Sequence, residues 1–108
     1  MSAEPLDLLN LMSRHLGREQ GISARYLAAQ LRVSPRELRH LISRCRYEHG
    51  AALCGHPSTG YFIANTPQEL EECCAFLQRR ALHSLRLLAR MRGVAMPELL
   101  GQLNLNQA

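Results

Sequence analysis

The feature that most constrains this chain is the stretch LAAQLRVSPRELRHLI, residues 27–42, in which two apolar-periodic segments meet at the four-residue joint RVSP. Ser34 suits the N-cap of a helix, Pro35 suits its first position, and Glu37 stands where a capping box places a carboxylate. The sequence therefore predicts a helix that begins at Pro35, directly after an earlier helix that ends at Leu31.

The two predicted helices each have a buried side and an exposed side. The earlier helix covers residues 24–31 with Ser23 as its N-cap, and the later one ends at Gly50. At about 100° per residue, the apolar side of the later helix consists of Leu38, Leu41, Ile42 and Cys45. Its opposite side consists of Arg36, Arg39, His40, Ser43 and Tyr47, with Arg44 and Arg46 at the borders.

Helical signals also flank this central region. Residues 5–16 carry an apolar stripe and predict a first helix, with Gly17 as its stop. The sequence TPQE at 66–69 repeats the capping pattern and predicts a long helix over 67–92, which starts acidic and ends basic before Gly93. Residues 93–108 form a predicted tail with one short helical turn and a frayed end at 106–108.

Between the third and the long helix, two short apolar runs at 51–54 and 61–64 flank the turn-rich GHPSTG. This pattern predicts a β-hairpin with a longer loop. A two-stranded hairpin is not stable alone, so it must pack on the helices.

The length of 108 residues and the hydrophobic content of 46% fit one small, mostly α domain over residues 1–108. No run is long enough to span a membrane, and the acidic start MSAEPLDLLNLM is a poor signal peptide. We therefore expect a cytoplasmic protein with no membrane partner, whose four cysteines are reduced.

Residues 24–43 resemble the helix-turn-helix motif: Leu27 and Leu31 match its buried positions, Ala28 its small residue, and Val33 the apolar residue of its turn. The family often has glycine where this chain has Arg32, so the arginine must bear an unfavourable backbone or alter the turn.

The order of elements over residues 20–92, with GHPSTGYFIA resembling a wing, is similar to that of winged helix-turn-helix proteins. With its long Arg-rich C-terminal helix, the chain also resembles small regulatory or replication-associated proteins of phages and prophages. The resemblance implies a winged helix-turn-helix over residues 22–64, a long helix over 66–92, and a nucleoid-associated regulator of transcription that binds double-stranded DNA.

The candidate DNA contacts are polar residues of the third helix and of the hairpin tip. All thirteen basic residues of the chain are arginine, whose planar fork of donors suits phosphates and guanine edges. The candidates are Ser34, Arg36, Arg39, His40, Ser43, Arg44, His56, Ser58 and Thr59. The alternative is an ordinary amphipathic helix with a solvated basic face.

The long helix suggests a homodimer. Apolar positions alternate by four and three residues along one stripe, which a parallel or antiparallel coiled coil would bury. The candidate dimer residues are Leu70, Cys74, Leu77, Ala81, Leu85 and Leu88, interrupted by Ser84 and extended by Met91. The alternative is that the stripe packs on the chain's own first helix.

The sequence carries no enzyme or cofactor signature. Asp7 is its only aspartate, and neither a phosphate loop nor a nucleophile elbow occurs. Cys45, His49, Cys54 and His56 are ligand types for zinc, but no Cys-x-x-Cys pair accompanies them. We expect no metal and no cofactor, with Cys45 as a buried thiol, and a redox role for Cys54, Cys73 or Cys74 stays open.

These observations predict a dimeric regulator of transcription that reads DNA with its third helix. The alternative function is that of a phage-type adaptor or inhibitor, whose basic face meets an acidic protein partner. A helix-dimer scaffold without a nucleic-acid role is a third option. The fold alone does not decide among them.

Overall fold

A computed structural model describes residues 3–103, and it is mostly helical with one small antiparallel sheet. The elements in chain order are α1 (Pro5–Met12), a 3-10 turn (Arg18–Gln20), α2 (Ala24–Leu31), α3 (Pro35–His49), β1 (Leu53–His56), β2 (Gly60–Ile63), α4 (Pro67–Arg92) and α5 (Met96–Gln102). The described residues up to Cys73 form one compact unit, and those from Cys74 onward form a second. The boundary between the two units falls within α4. The expectation of one domain over residues 1–108 stays a prediction.

Helices α2 and α3 begin and end at the predicted residues. The Ser23 hydroxyl oxygen accepts a hydrogen bond from the Tyr26 N–H at 3.1 Å, and the Ser34 hydroxyl oxygen accepts one from the Glu37 N–H at 3.1 Å. Gly50, with φ of 59°, ends α3 in the left-handed conformation that lacks a steric cost only for glycine. Local capping chemistry therefore sets the boundaries of both helices.

The turn between α2 and α3 depends on an unusual backbone at Arg32. Its φ is 56°, and it is the one non-glycine residue with a positive φ among residues 3–103. The Arg32 N–H donates to the Ala29 carbonyl at 3.2 Å, and the Val33 N–H donates to the Ala28 carbonyl at 3.0 Å. These two bonds close α2 in a Schellman arrangement. Of the two alternatives stated for this position, Arg32 therefore shows the unfavourable backbone.

The core of the first unit lies where α3 packs against α1 and α2. Leu27 is fully buried, and Ala28, only 8% exposed, is the small residue of α2 in this core. The buried cluster consists of Leu8, Met12, Ile22, Leu27, Ala28, Leu38, Leu41, Ile42, Cys45 and Leu53. Each fully buried leucine contributes about 1.5–3 kcal/mol relative to an exposed one, so this cluster stabilises the whole unit.

The prediction of a first helix over residues 5–16 is wrong at its end, because α1 stops at Met12. The backbone that follows pairs with β2 instead: the Ile63 N–H donates to the His15 carbonyl at 2.8 Å, and the Gly17 N–H donates to the Ile63 carbonyl at 2.7 Å. A longer α1 would use these groups internally. Leu16, assigned to the apolar stripe, is 48% exposed.

The hairpin is confirmed, but its longer loop is wrong. His56 and Gly60, assigned to the loop, form the last pair of the ladder, so the turn between the strands covers only residues 57–59. β2 is paired on both edges, since the Tyr61 N–H donates to the Ile22 carbonyl at 2.7 Å and the Ile22 N–H donates back at 2.8 Å. A Cβ on Gly60 would lie 2.2 Å from the Ile22 carbonyl oxygen, so this pairing needs glycine there.

The face of the hairpin that carries Cys54 and Phe62 contacts the start of α4 and the 3-10 turn. Cys54 and Phe62 pair across the strands and are both 2% exposed. The Arg18 guanidinium lies 6.0 Å from the centroid of the Phe62 ring, and it forms an ion pair with Glu72. The hairpin is therefore covered on both faces, as its marginal intrinsic stability requires.

Glu69 connects three segments of the first unit. Its Oε1 accepts a hydrogen bond from the Asn65 N–H at 2.8 Å, and its Oε2 accepts one from the Arg18 N–H at 2.9 Å. Its own N–H donates to the Thr66 hydroxyl oxygen at 3.1 Å, which confirms Thr66 as a cap. The backbone N–H of Arg18, followed by that of Asn65, holds the pKa of this carboxyl below its usual range.

In the second unit, α4 runs to Arg92 as predicted, and Gly93, with φ of 68°, ends it. The predicted short turn in the tail is a seven-residue helix, α5. Its Leu99 is fully buried and Ala89 of α4 is 7% exposed, while the Arg92 Nη1 donates to the Gln102 Oε1 at 3.2 Å. The predicted fraying at 106–108 lies outside the described residues.

The backbone of Arg32 makes a stability prediction. Replacement by glycine removes the clash of Cβ in the left-handed region, so we expect Arg32→Gly to raise the free energy of unfolding by about 1 kcal/mol. Urea denaturation followed by circular dichroism measures it. The control is Arg39→Gly in the interior of α3, which should lower stability by about 1 kcal/mol. Equal destabilisation by both changes would contradict this account of the turn.

Glu69 makes a pH prediction. A carboxyl whose pKa is lower in the folded than in the unfolded chain stabilises the fold above its unfolded pKa, and this contribution is lost as the pH falls. We expect Glu69→Gln to lower the free energy of unfolding at neutral pH, with the difference from wild type shrinking between about pH 5 and pH 3. Denaturation across this range tests it, with exposed Glu71→Gln as the charge-matched control. A difference that does not change with pH would contradict it.

Candidate nucleic-acid interface

The outward side of α3 brings four of the predicted contacts together. Arg36, Arg39, His40 and Ser43 are all exposed, and they lie opposite the buried leucines of the same helix. None of the three ion pairs among residues 3–103 involves Arg36 or Arg39. We call these four residues with Tyr47 the α3 outer face, a surface that offers unpaired guanidinium donors on a rigid element.

Tyr47 is a member of this face that the candidate contacts omitted. Its side chain is 91% exposed, one helical turn beyond Ser43. A phenol ring carries both an apolar surface and a hydroxyl group, which suits it to contact with a partner. The helical spacing from Ser43 placed it on the polar side, and that spacing was the available signal.

Arg44, a predicted contact, is already engaged by two carboxylates. Its Nε lies 2.7 Å from Glu48 Oε2, and its Nη1 lies 3.4 Å from Glu4 Oε2. The hydrogen bond with Glu48 raises the pKa of Arg44 and lowers that of Glu48. Water screens exposed pairs of this kind, so they contribute little to stability. A phosphate group would therefore displace these partners at little cost, but Arg44 is less available than Arg36 or Arg39.

Arg46, at the border of this side, is a structural residue. Its Nε and Nη2 donate to the Leu53 carbonyl oxygen at 2.9 and 2.6 Å. The guanidinium thus ties α3 to the first residue of β1, and its side chain is only partly exposed. Helical periodicity could not separate this arginine from its neighbours, because its partner comes from a later strand.

The remaining candidates differ in availability. The Ser34 hydroxyl is used in capping α3, and the side chains of His56 and Ser58 bond each other at the exposed tip, with 2.8 Å between Ser58 Oγ and His56 Nδ1. The Thr59 hydroxyl is buried without a hydrogen-bond partner among residues 3–103. A Cβ on Gly21 would lie 2.0 Å from the Thr59 carbonyl oxygen, so the chain is in close contact there.

A second basic surface lies on α4, within the second unit. Arg79, His83, Arg86 and Arg90 recur at helical spacing and are all exposed, and no acidic residue occurs between Glu72 and Glu98. We call these four residues the α4 basic stripe. The helical spacing of these four residues is visible in the sequence, where the basic end of the helix also complements its dipole.

Another face of α4 carries the residues predicted to dimerise. Leu70 is 43% exposed and Leu77 is 41% exposed, and Met91 near its end is 85% exposed. Cys74 and Ala81 are also exposed, whereas Leu85 and Leu88 are half-buried. We call this stripe, from Leu70 to Met91, the α4 seam. It presents an apolar surface along the helix.

Two of the four thiols, those of Cys45 and Cys54, are buried. Among residues 3–103, no three His, Cys, Asp or Glu side chains cluster in a way that would hold a metal ion. The buried Cys45 thiol donates to the Pro5 carbonyl oxygen at 3.4 Å, and burial raises its pKa. Burial, together with a hydrogen bond to Cys73, raises the pKa of Cys54 to about 12. Both groups are therefore protonated and weakly nucleophilic at neutral pH.

No family model, curated protein or solved structure matches the chain. Among residues 3–103, none of the helices combines the length and the apolar character that crossing a membrane requires.

Arg46, which bonds to the hairpin, and Arg39, which is exposed and in no ion pair among residues 3–103, should differ in their effect on stability. Arg46→Ala removes two charge-assisted hydrogen bonds, so we expect the free energy of unfolding to fall by about 1–3 kcal/mol. Arg39→Ala, the matched control, removes an exposed side chain of α3 and should change it by no more than about 0.5 kcal/mol. Urea denaturation of both variants measures the difference. Equal losses would contradict the structural assignment of Arg46.

Proposed function

We propose that the chain is a winged helix-turn-helix regulator of transcription, which binds double-stranded DNA as a homodimer in the nucleoid. The observation that carries this proposal is the α3 outer face. It combines Arg36 and Arg39, without ion-pair partners among residues 3–103, with a helix whose opposite side is anchored in the core. A recognition helix needs such an apolar back and polar front.

The dimensions and donors of α3 fit the proposed role. The major groove is about 12 Å wide and admits one α-helix, whose diameter with side chains is about 10–12 Å. Arginine binds guanine in a bidentate manner and also binds phosphate, while His40 and Ser43 supply smaller donors and acceptors for bases or phosphates. Arg36 lies in the first turn of α3, where recognition helices contact base edges.

The hairpin supports the same proposal. Its tip is only residues 57–59, and the segment 15–22 holds β2 on the edge opposite β1. A short wing that is paired in this way suits contact with the DNA backbone. The exposed His56 and Ser58 side chains are its available groups. The buried Thr59 hydroxyl leaves that residue only its backbone for such contact.

A protein-binding adaptor is the alternative that one observation favours. Tyr47, 91% exposed, shares its face with Arg36 and Arg39. Tyrosine and arginine are the residue types that contribute most of the binding energy at protein interfaces. In this alternative, the α3 outer face binds an acidic protein, and duplex DNA does not compete at physiological salt.

A salt titration tests the proposed function. Binding of a labelled random-sequence duplex is measured for wild type and for Arg36→Ala/Arg39→Ala. We expect the double variant to lose affinity and up to about two units of the slope of log K against log salt, because each arginine neutralises one phosphate. Fluorescence anisotropy at several salt concentrations measures both quantities.

The control is Arg14→Ala/Arg25→Ala, which removes the same charge from exposed positions outside both α3 and the α4 basic stripe. If it weakens binding equally, net charge and not the α3 outer face drives association. If no variant, including wild type, binds the duplex at low salt, the DNA proposal fails. Pull-down of an acidic protein that is lost on Tyr47→Ala would then support the adaptor.

A further inference from the structure

We propose that two copies of the chain pair through the α4 seam in an antiparallel orientation, with Cys74 of one copy beside Ser84 of the other. This inference deepens the dimer part of the proposed function and is independent of DNA. The first support is the seam itself. Leu77 and Met91 are 41% and 85% exposed on a 26-residue helix, at spacings that match a coiled coil.

The charge distribution along α4 selects the orientation. Its first two turns carry Glu69, Glu71 and Glu72, of which Glu69 and Glu72 also bind the chain's own Arg18, and residues 79–92 carry five arginines. A parallel pair would place the acidic starts together and the basic halves together. An antiparallel pair places each acidic start beside a basic half and also opposes the two helix dipoles. Charge complementarity within one helix therefore favours a second copy, antiparallel, as the occupant of the seam.

The spacing of the seam selects the register. Only one register of two antiparallel α4 helices both overlaps them along nearly their whole length and keeps the α4 seam facing inward. In this register, Leu70 lies opposite Leu88 of the second copy, and Leu77 lies opposite its Ala81. Large residues thus meet small ones at the centre of the pair, where interlocking side chains need such alternation. Ser84, which interrupts the seam, falls opposite Cys74.

Disulfide cross-linking tests the orientation without DNA. The background is Cys73→Ser, which leaves Cys74 as the exposed thiol. Mild oxidation by copper-phenanthroline and oxygen takes two electrons and two protons from two nearby thiols. We expect Cys73→Ser alone to stay uncross-linked, because antiparallel pairing separates the two Cys74 side chains by about 15 Å along the axis. Adding Ser84→Cys should give covalent dimers.

Peptide mapping should show that these dimers join Cys74 to position 84. The variant Cys73→Ser/Cys74→Ser/Ser84→Cys should not cross-link, since its two thiols are again far apart. A bridge between two Cys74 side chains in the Cys73→Ser background would establish a parallel pair and overturn the proposal. Absence of cross-linking with Ser84→Cys would overturn the register.

The oligomeric state gives a second, independent measurement. Leu77→Arg places charge in the seam, and losing one leucine from each copy should raise the dimer dissociation constant by about a hundredfold or more. Phe76→Arg is the matched control, because Phe76 is 46% exposed but lies off the seam. Sedimentation velocity should show a wild-type dimer that only Leu77→Arg dissociates, with circular dichroism confirming that both variants are helical. A monomeric wild type would overturn the proposal even if DNA binding is found.

Discussion

The packing of the apolar side of α3 against α1 and α2 is the interaction on which the rest of the first unit depends. Leu38 and Cys45 are almost fully buried there. Because one side of α3 is buried in this way, its other side must face outward, and the directions of Arg36 and Arg39 follow. The same packing positions Arg46 to reach the Leu53 carbonyl, so the core also determines where the hairpin starts.

Local sequence signals predicted the helices of this chain well. The features that depend on contacts between distant residues, the end of α1 and the length of the hairpin loop, were predicted wrongly. Ser23, Ser34 and Thr66 cap their helices through side chains that lie within three residues of their partners. The early end of α1 had no such signal, since the carbonyl of His15 bonds Ile63, far along the chain. The hairpin loop was overestimated for the same reason: Gly60 suggested a turn, but it is needed for close contact with Ile22.

The candidate site was likewise predicted from the sequence only where local helical spacing determines it. Helical periodicity correctly placed Arg36, Arg39, His40 and Ser43 on one exposed face. It could not distinguish an arginine with a partner from one without, because the partners lie elsewhere in the fold. Arg44 meets Glu4 as well as its helical neighbour Glu48, and that contact depends on how α1 packs on α3. Whether a charged group is available to bind a partner therefore depends on the tertiary structure, even when the helix alone determines the direction in which the group points.

The two exposed faces of α4 illustrate how a single helix can separate two interactions. The α4 seam is apolar, and its exposure costs free energy until another surface covers it. The α4 basic stripe places Arg86 and Arg90 four residues apart, where like charges repel. Pairing through the α4 seam would bury its apolar surface and leave the α4 basic stripe facing outward on each copy. An anionic partner bound along the stripe would relieve this repulsion. An antiparallel pair would thus concentrate positive charge on opposite sides of the dimer, which is compatible with a polyanion as its ligand.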